Sequence, residues 1–413
     1  MLRRTSGSEL EVSDGAERAY GEPRYNWRNR VLESIGILEK LVGFRTVSRS
    51  PNIELMRYIR DLLADAGIRS DLMLSDTGQN ANLFATVGPS DRPGVMLSGH
   101  TDVVPVDGQH WTVDPFRLCE RQGKLFGRGT ADMKGFVACA IRVAILASER
   151  DLKTPLHLAF SYDEEVGCVG VRTMISVLQT APITPALCIV GEPTSLEIAN
   201  GHKGKTAARA ICRGLSVHSA LAPTGINAIH LAGEFVALLR NIQANLAYTG
   251  ASDSAYDIPY TTIHVGTISG GTALNIVPEH CCMDFEVRNI HQDDPNEILG
   301  MIENGAATIA KKYGDGAAIE LETVNSYPGL ETPLDAAVIE FMKSLTGRNS
   351  TTKVAFGTEG GLFNERLGVP TVVFGPGSMA QGHKPDEYVE RKQLDMCDEV
   401  LESLLNRLSA GSI

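Results

Sequence analysis

His100 and Asp102 stand two positions apart, shortly after the apolar run 94–97. A neutral imidazole is a common metal ligand, and a nearby carboxylate often accepts its other ring N–H, which fixes the tautomer and the orientation of the ring. Alone, such a pair is more often structural than metal-binding, because many histidines are satisfied residues of the core. Its chemistry therefore depends on which other groups the fold brings beside it.

Further carboxylates and a second histidine follow predicted strands or begin a predicted helix. They are Asp132 at the start of the apolar helix 133–148, Glu164 and Glu165 after the strand 156–161, Glu192 after the strand 186–190, and His383 after the strand 371–374. The helix dipole favours a negative charge at the position of Asp132. Ligands of open α/β sheets bind beyond the carboxyl ends of the strands. We therefore expect these groups to meet at one edge of a sheet.

Several carboxylates place much negative charge beside the two histidines, and no cluster of Lys or Arg alternates with them. A pair of divalent cations would balance this charge, and two ions roughly 3.5–4 Å apart are typical of hydrolytic sites. Imidazole and carboxylate without thiolate favour Zn, Co or Mn over Mg, with Zn as our first expectation. Glu164 and Glu165 are adjacent and cannot easily face one ion together, so we expect one to be a base and the other a ligand.

Composition excludes several classes of protein. The 413 residues carry 38 basic and 50 acidic side chains, a net charge of −12, which argues against a nucleic-acid or other phosphate-binding surface. No apolar run reaches the roughly 18 residues of a membrane span, and the N-terminus lacks the apolar segment of a secretory signal. The eight cysteines form no C-x-x-C pair, which predicts reduced, buried cysteines in a cytoplasmic protein.

Strands that alternate with helices predict an α/β fold, with a mixed, mostly parallel sheet in a three-layer domain. From about residue 205 the predicted order becomes β-α-β-β-α-β, which matches the split βαβ unit of ferredoxin-like α+β domains. Residues 248–258 within it read as a loose loop. The predicted division is a flexible N-terminal extension 1–24, a catalytic domain formed by 25–204 and 325–413, and an inserted domain 205–324.

Five segments, in this order, resemble the signature of the M20 metallopeptidases. They are 100–102 (HTD), 129–135 (GTADMKG), 163–165 (DEE), 191–194 (GEPT) and His383. The resemblance extends over nearly all of the chain after about residue 30. It implies a bridging role for Asp132, which would bind both metal ions.

The same resemblance implies a role for each remaining residue of the cluster. His100 and Glu192 would complete one metal position, and Glu165 and His383 would complete the other. Glu164 would be the general base. Asp102 would hold the imidazole of His100 in place.

The inserted domain resembles the part of M20 enzymes that serves as lid and dimerisation surface, which implies a homodimer. The segment around His218 resembles the one whose histidine reaches into the partner's site to polarise the scissile carbonyl. Asn275 resembles a residue that contacts substrate, and Arg288 one that holds a substrate carboxylate, for which a guanidinium is well suited. Without the resemblance, His218 could be a surface histidine and Asn275 a plain turn residue.

Within the family, the segments 355–363 and 375–378 look most like the branch that converts N2-acetyl-L-ornithine to L-ornithine and acetate. Thr358 and Glu359 would contact substrate there, with Glu359 meeting the δ-ammonium, although Glu359 could simply begin a helix. The alternatives are desuccinylation of succinyl-diaminopimelate and a broader aminoacylase or carboxypeptidase activity. A non-catalytic metal-binding protein on the same fold would lack Glu164 or a ligand, and this chain has them all.

Overall fold

The computed structural model describes residues 33–412. The predicted extension 1–24 and the start of the predicted catalytic domain, 25–32, lie outside this range. The helices are α1 (Ser34–Gly43), α2 (Ile53–Asp65), α3 (Lys134–Ser148), α4 (Val171–Leu178), α5 (Ala228–Thr249), α6 (Pro295–Tyr313), α7 (Ala337–Thr346), α8 (Gly360–Leu367) and α9 (Arg391–Ala410). The strands are β1 (Ser70–Leu74), β2 (Ala81–Val87), β3 (Val95–His100), β4 (Cys119–Arg121), β5 (Lys124–Phe126), β6 (Leu156–Ser161), β7 (Leu187–Val190), β8 (Ala199–His202), β9 (Lys205–Arg213), β10 (Thr262–Gly270), β11 (His280–Arg288), β12 (Ala318–Tyr327), β13 (Leu330–Glu331), β14 (Thr352–Val354), β15 (Thr371–Val373) and β16 (Tyr388–Glu390).

The central sheet is mixed, with parallel strands in its middle. Its order is β1-β2-β6-β3-β7-β15-β8-β13, and β14 pairs with β8. Strands β6, β3, β7 and β15 are parallel, whereas β1 and β2 are antiparallel to their neighbours. The register places His100 beside Ser161 and Ser98 beside Val190, so the loops after β3, β6 and β7 leave the sheet at the same edge.

Helices cover both faces of this sheet, which confirms the predicted three-layer α/β architecture. Val95 and Leu97 of β3 pack in one core with α1, α2, α3 and α9. Met96 points to the opposite face and packs with α4 and α8, as the alternation of side chains along a strand requires. Helix α3 is buried on nearly all sides, as its apolar sequence predicts.

The second sheet is antiparallel, with the order β10-β11-β9-β12. Helices α5 and α6 pack on it around their own core, and the chain order β9-α5-β10-β11-α6-β12 is the predicted βαββαβ unit. Helix α5 continues to Thr249, beyond the predicted end at 242, because no glycine or proline intervenes before Gly250. The domain limits at 205 and 324 stay predictions; the sheet itself runs from Lys205 to Tyr327.

Two local expectations need correction. The predicted loose loop 248–258 is anchored, because Tyr256 is buried and Asp253 forms a 2.6 Å ion pair with Lys353 of β14. The eight cysteines are free thiols as predicted, but not all are buried: Cys119 is only partly buried, and Cys282 is exposed because it lies on the outer face of β11. None of the helices between residues 33 and 412 has the length and apolarity needed to cross a membrane.

Candidate active site

His100 ends β3 and is only 1% exposed. Its Nε2 lies 3.0 Å from Asp132 Oδ1 and 3.5 Å from Glu192 Oε1. Its Nδ1 lies 3.0 Å from the backbone carbonyl oxygen of Asp102. A carbonyl can only accept, so Nδ1 carries a proton and Nε2 is the nitrogen available to bind an ion.

Asp132 lies between the two predicted histidine ligands. Its Oδ1 faces His100, while its Oδ2 lies 3.1 Å from Nε2 of His383. His383 Nε2 is also 2.9 Å from Glu165 Oε2. Although burial opposes ionisation, the neighbouring imidazoles of His100 and His383 hold the pKa of Asp132 below its usual range. Asp132 thus offers one carboxylate oxygen to each side, which is the arrangement that a bridging ligand needs.

The donor atoms form a compact cluster. Those of His100, Asp132 and Glu165 lie within 4.8 Å of one another, as do those of His100, Glu164 and Glu192. Burial raises the pKa of Glu165 to about 7, and burial together with the Asp132 charge raises the pKa of Glu192 well above its usual value. Buried carboxylates that repel one another, with imidazole nitrogens beside them, suit divalent cations. These residues are candidate metal ligands.

Asp102 connects His100 to the end of β6, a role that the sequence did not indicate. Its Oδ1 accepts the backbone N–H of Glu164 at 3.0 Å, and its Oδ2 accepts that of Glu165 at 3.3 Å. Ser48 Oγ also donates to Oδ2, at 2.8 Å. Asp102 is therefore placed to set the backbone that carries both glutamates as well as the ring of His100.

Glu164 lies at the turn that follows β6, directly after Asp163, whose φ is +55°. Its side chain is buried, lines the cavity beside Asp132, and accepts a hydrogen bond from Cys168 Sγ at 3.4 Å. Burial raises the pKa of Glu164 well above its usual value. A carboxylate with a raised pKa is a better base near neutral pH than an ordinary glutamate.

The opposite wall of this cavity, about 90 Å³ in volume, comes from the second sheet. Arg288, at the end of β11, lines it together with Lys205 and Tyr327. Arg288 Nε donates to Glu286 at 3.0 Å, Lys205 Nζ lies 3.3 Å from the same carboxylate, and Arg288 Nη1 donates to Tyr327 Oη at 3.3 Å. The sequence identified Arg288 only. The sequence feature that could have indicated Lys205 and Tyr327 is their position: Lys205 begins β9 and Tyr327 ends β12, the two points at which the chain passes between the sheets.

Thr358 and Glu359 lie behind the cluster and do not line the cavity. Thr358 Oγ1 accepts the N–H of Gly360 at 2.9 Å, at the start of α8. Glu359 is 1% exposed and accepts hydrogen bonds from the hydroxyls of Ser161 and Ser98, which belong to the adjacent strands β6 and β3. Burial raises the pKa of Glu359 to about 7.

His218 and Asn275 lie together on the second α+β unit. The backbone N–H of Ser219 donates to the Asn275 carbonyl at 2.9 Å, and His218 forms an isolated bridge with Ile276. Neither side chain lines the cavity beside Asp132 in the same chain. The structure therefore places the two residues beside each other but does not bring them to the metal-ligand cluster of their own subunit.

Comparison with known proteins identifies the family. The sequence pattern of peptidase family M20/M25/M40 matches residues 96–407. The chain belongs to this family. An acetylornithine deacetylase of Pasteurella multocida (strain Pm70) is 35% identical over 365 residues, which cover 87% of this chain and 92% of that protein. An acetylornithine deacetylase of Myxococcus xanthus is 35% identical over 382 residues, 91% of this chain and 97% of that protein.

Solved structures of M20 proteins share the fold. The M20 metallo-carboxypeptidase Sso-CP2 of Sulfolobus solfataricus aligns with a TM-score of 0.73 at 17% identity, covering 91% of this chain and 99% of that chain. A dinuclear metal-binding M20 peptidase of Bacillus subtilis aligns with a TM-score of 0.67 at 16% identity, covering 94% and 100%. The resemblance to M20 enzymes is confirmed, and the chain is a metal-dependent hydrolase of this family.

Proposed function

We propose that the enzyme hydrolyses the amide bond of an N-acyl amino acid, and that its substrate is N2-acetyl-L-ornithine, which yields L-ornithine and acetate for arginine biosynthesis. The observation that carries the hydrolysis is Asp132, which faces both histidines beside a buried glutamate. The two relatives named acetylornithine deacetylase, which match about nine-tenths of the chain, support the choice of substrate.

The proposed cofactors are two divalent ions, Zn by preference and Co or Mn as alternatives. His100, Asp132 and Glu192 would hold one ion, and Asp132, Glu165 and His383 would hold the other. When bound, such ions supply Lewis acidity, which lowers the pKa of an attacking water and polarises the substrate carbonyl.

The proposed roles of the remaining residues follow from their positions in the cavity. Glu164 accepts the proton of the attacking water and delivers it to the leaving amine. Arg288 binds the substrate carboxylate from the opposite wall, with Lys205 beside it on the same Glu286. Thr358 and Glu359 act on substrate only indirectly, since they lie behind the cluster.

We also propose that residues 205–324 form a lid and a homodimer contact, as the family resemblance implies. His218 would then act in the site of the partner subunit, where it would stabilise the oxyanion, and Asn275, which lies beside it, would contact substrate there. A homodimer explains why both residues lie away from the cluster of their own chain. The cytoplasmic location stays a prediction.

Desuccinylation is a second candidate function, and one observation favours it. Lys205 and Arg288 present two cations to the cavity and share one carboxylate, Glu286. A succinyl group carries a carboxylate that an acetyl group lacks, and the remaining positive charge could bind it.

A substrate panel with parallel metal analysis tests the proposal. Protein dialysed against a chelator should lose activity and regain it with Zn or Co. Restored enzyme should have its highest kcat/KM for N2-acetyl-L-ornithine, against N-succinyl-L,L-diaminopimelate and N-acetyl-L-methionine. Full activity in protein verified to be metal-free would refute the metal-dependent mechanism. A higher kcat/KM for another substrate would refute the substrate assignment alone.

A further inference from the structure

A buried arginine, Arg128, lies near the candidate metal ligands Asp132 and His383. The Arg128 guanidinium is 1% exposed and stacks on Trp111, with its central carbon 5.0 Å from the centre of the ring. Its Nη1 donates to Glu387 Oε2 at 2.7 Å, and its Nη2 donates to Gln109 Oε1 at 2.6 Å. Arg128 therefore holds two side chains from different loops in fixed positions.

Each of these two side chains contacts the backbone of one candidate metal ligand. Glu387 Oε1 accepts the N–H groups of Ala131 and Asp132, at 2.9 and 3.1 Å. Gln109 Nε2 donates to the backbone carbonyl of His383 at 3.0 Å. The backbones of Asp132 and His383 are thus tied to the same guanidinium, one through Glu387 and the other through Gln109.

His383 needs such support more than the other candidate ligands. Its side chain is 47% exposed, and its φ is +62°, a backbone conformation that residues other than glycine rarely adopt. The side chains of His100 and Asp132, by contrast, are only 1% and 3% exposed. Packing alone therefore fixes His383 less firmly than it fixes the ligands buried in the sheet.

We propose that Gln109 is a positioning residue for His383, and that the Gln109–Arg128–Glu387 network sets the spacing between His383 and Asp132. The proposal rests on the di-metal function proposed above. Gln109 acts on the ion position formed by Asp132, Glu165 and His383, whereas the position formed by His100, Asp132 and Glu192 contains no residue to which Gln109 is hydrogen-bonded. Residues that orient metal ligands in this way typically change metal affinity about 10–100-fold when they are mutated.

The test uses Gln109→Glu, which keeps the oxygen that accepts from Arg128 but replaces the donor to His383 with an acceptor. Gln109→Met removes both of these hydrogen bonds, and also the one that Trp111 Nε1 donates to Gln109 Oε1 at 3.0 Å, without adding charge. Gln79→Glu is the matched control, because it makes the same chemical change at an exposed position. Metal-free proteins are titrated with Co²⁺, the two dissociation constants are read from the visible absorption of the bound ion, and the thermal unfolding of the metal-free forms is recorded.

We expect both Gln109 variants to bind one of the two ions about tenfold more weakly or worse, with the other dissociation constant close to wild type. The metal-free Tm should stay close to wild type in Gln109→Glu and fall in Gln109→Met, which takes an acceptor away from the buried Arg128. The added negative charge of Gln109→Glu would by itself strengthen cation binding, so weakening in both variants identifies geometry as the cause. Unchanged affinities, or a change in Gln109→Glu alone, would overturn the inference. Wild-type protein that fails to bind two ions would instead refute the di-metal function.

Discussion

Oδ1 of Asp102 accepts a 3.0 Å hydrogen bond from the backbone N–H of Glu164. This bond joins the loop after β3, the strand that ends at the candidate metal ligand His100, to the loop after β6, which carries the proposed base. The two strands are parallel neighbours, so their ends are already close. The bond adds the orientation, because it fixes the peptide from which the Glu164 side chain projects.

Asp102→Asn should lower both kcat and metal affinity about 10–100-fold. The carboxylate accepts from Glu164 on one oxygen and from Glu165 and Ser48 on the other, whereas an amide would turn its NH₂ towards one of these donors. Steady-state kinetics and chelator competition measure the two effects. Ser48→Ala is the control, since it removes one donor and leaves both backbone bonds. Equal effects of the two substitutions would contradict the proposed orienting role.

Glu164→Gln should reduce kcat about 10²–10⁴-fold with KM and metal content near wild type, because the amide keeps the shape of the side chain but cannot accept a proton. Stopped assays of ornithine release and metal analysis on the same samples measure this. Glu303→Gln, at an exposed position on α6, should match wild type. Turnover within a few-fold of wild type in Glu164→Gln would exclude Glu164 as the base.

The sequence located the candidate metal ligands because each follows a strand or begins a helix with a strong apolar pattern. Parallel strands then bring their carboxyl ends together whatever the remaining topology. The β-α-β-β-α-β order was visible for the same reason, since amphipathic periodicity is a local property. The positions of His100 and Asp132 could be predicted from local patterns and the parallel sheet alone.

The opposite wall of the cavity could not be predicted in this way. Lys205 and Tyr327 line it because of how the second sheet lies against the first, which no local pattern encodes. The loop 248–258 has a composition typical of a flexible segment, yet Lys353, about a hundred residues later, holds it through Asp253. Glu359 looked like a substrate contact by its motif, but two serine hydroxyls hold it in the interior.

Gly167→Ala should destabilise the protein by about 3 kcal/mol and lower kcat. Its φ is +117°, and an added Cβ would lie 2.1 Å from Asn325 Nδ2, which can move only by breaking its bond to the Gly167 carbonyl. Gly78→Ala, at φ +68° with nothing within 4 Å, should cost about 1 kcal/mol and leave kcat unchanged. Urea unfolding and kinetics measure both. Similar losses of stability would show that backbone strain, and not contact with Asn325, determines the cost.

His202 should make the fold less stable in acid. Its Nδ1 donates to the Lys203 carbonyl at 3.0 Å and its Nε2 accepts the N–H of Gly361 at 3.1 Å, so the buried ring is neutral. Burial lowers its pKa to about 4 from 6.5. The unfolded chain therefore binds a proton below pH 6.5 that the folded protein does not take up until about pH 4, and stability is lost as the pH falls through this window.

The expected contribution of His202 to this loss is about 2 kcal/mol between pH 7 and pH 5. His202→Gln, which can still donate and accept, should reduce the loss by that amount, as measured by urea unfolding of metal-free protein at the two pH values. Burial also lowers the pKa of His157 to about 4, so the His202→Gln variant should still lose some stability as the pH falls. His291→Gln, at an exposed position, should keep the wild-type difference. If His202→Gln also kept the wild-type loss of stability between the two pH values, His202 would not cause that loss. The folded protein would then accept a charged His202, and the hydrogen bond from Gly361 would not require a neutral ring.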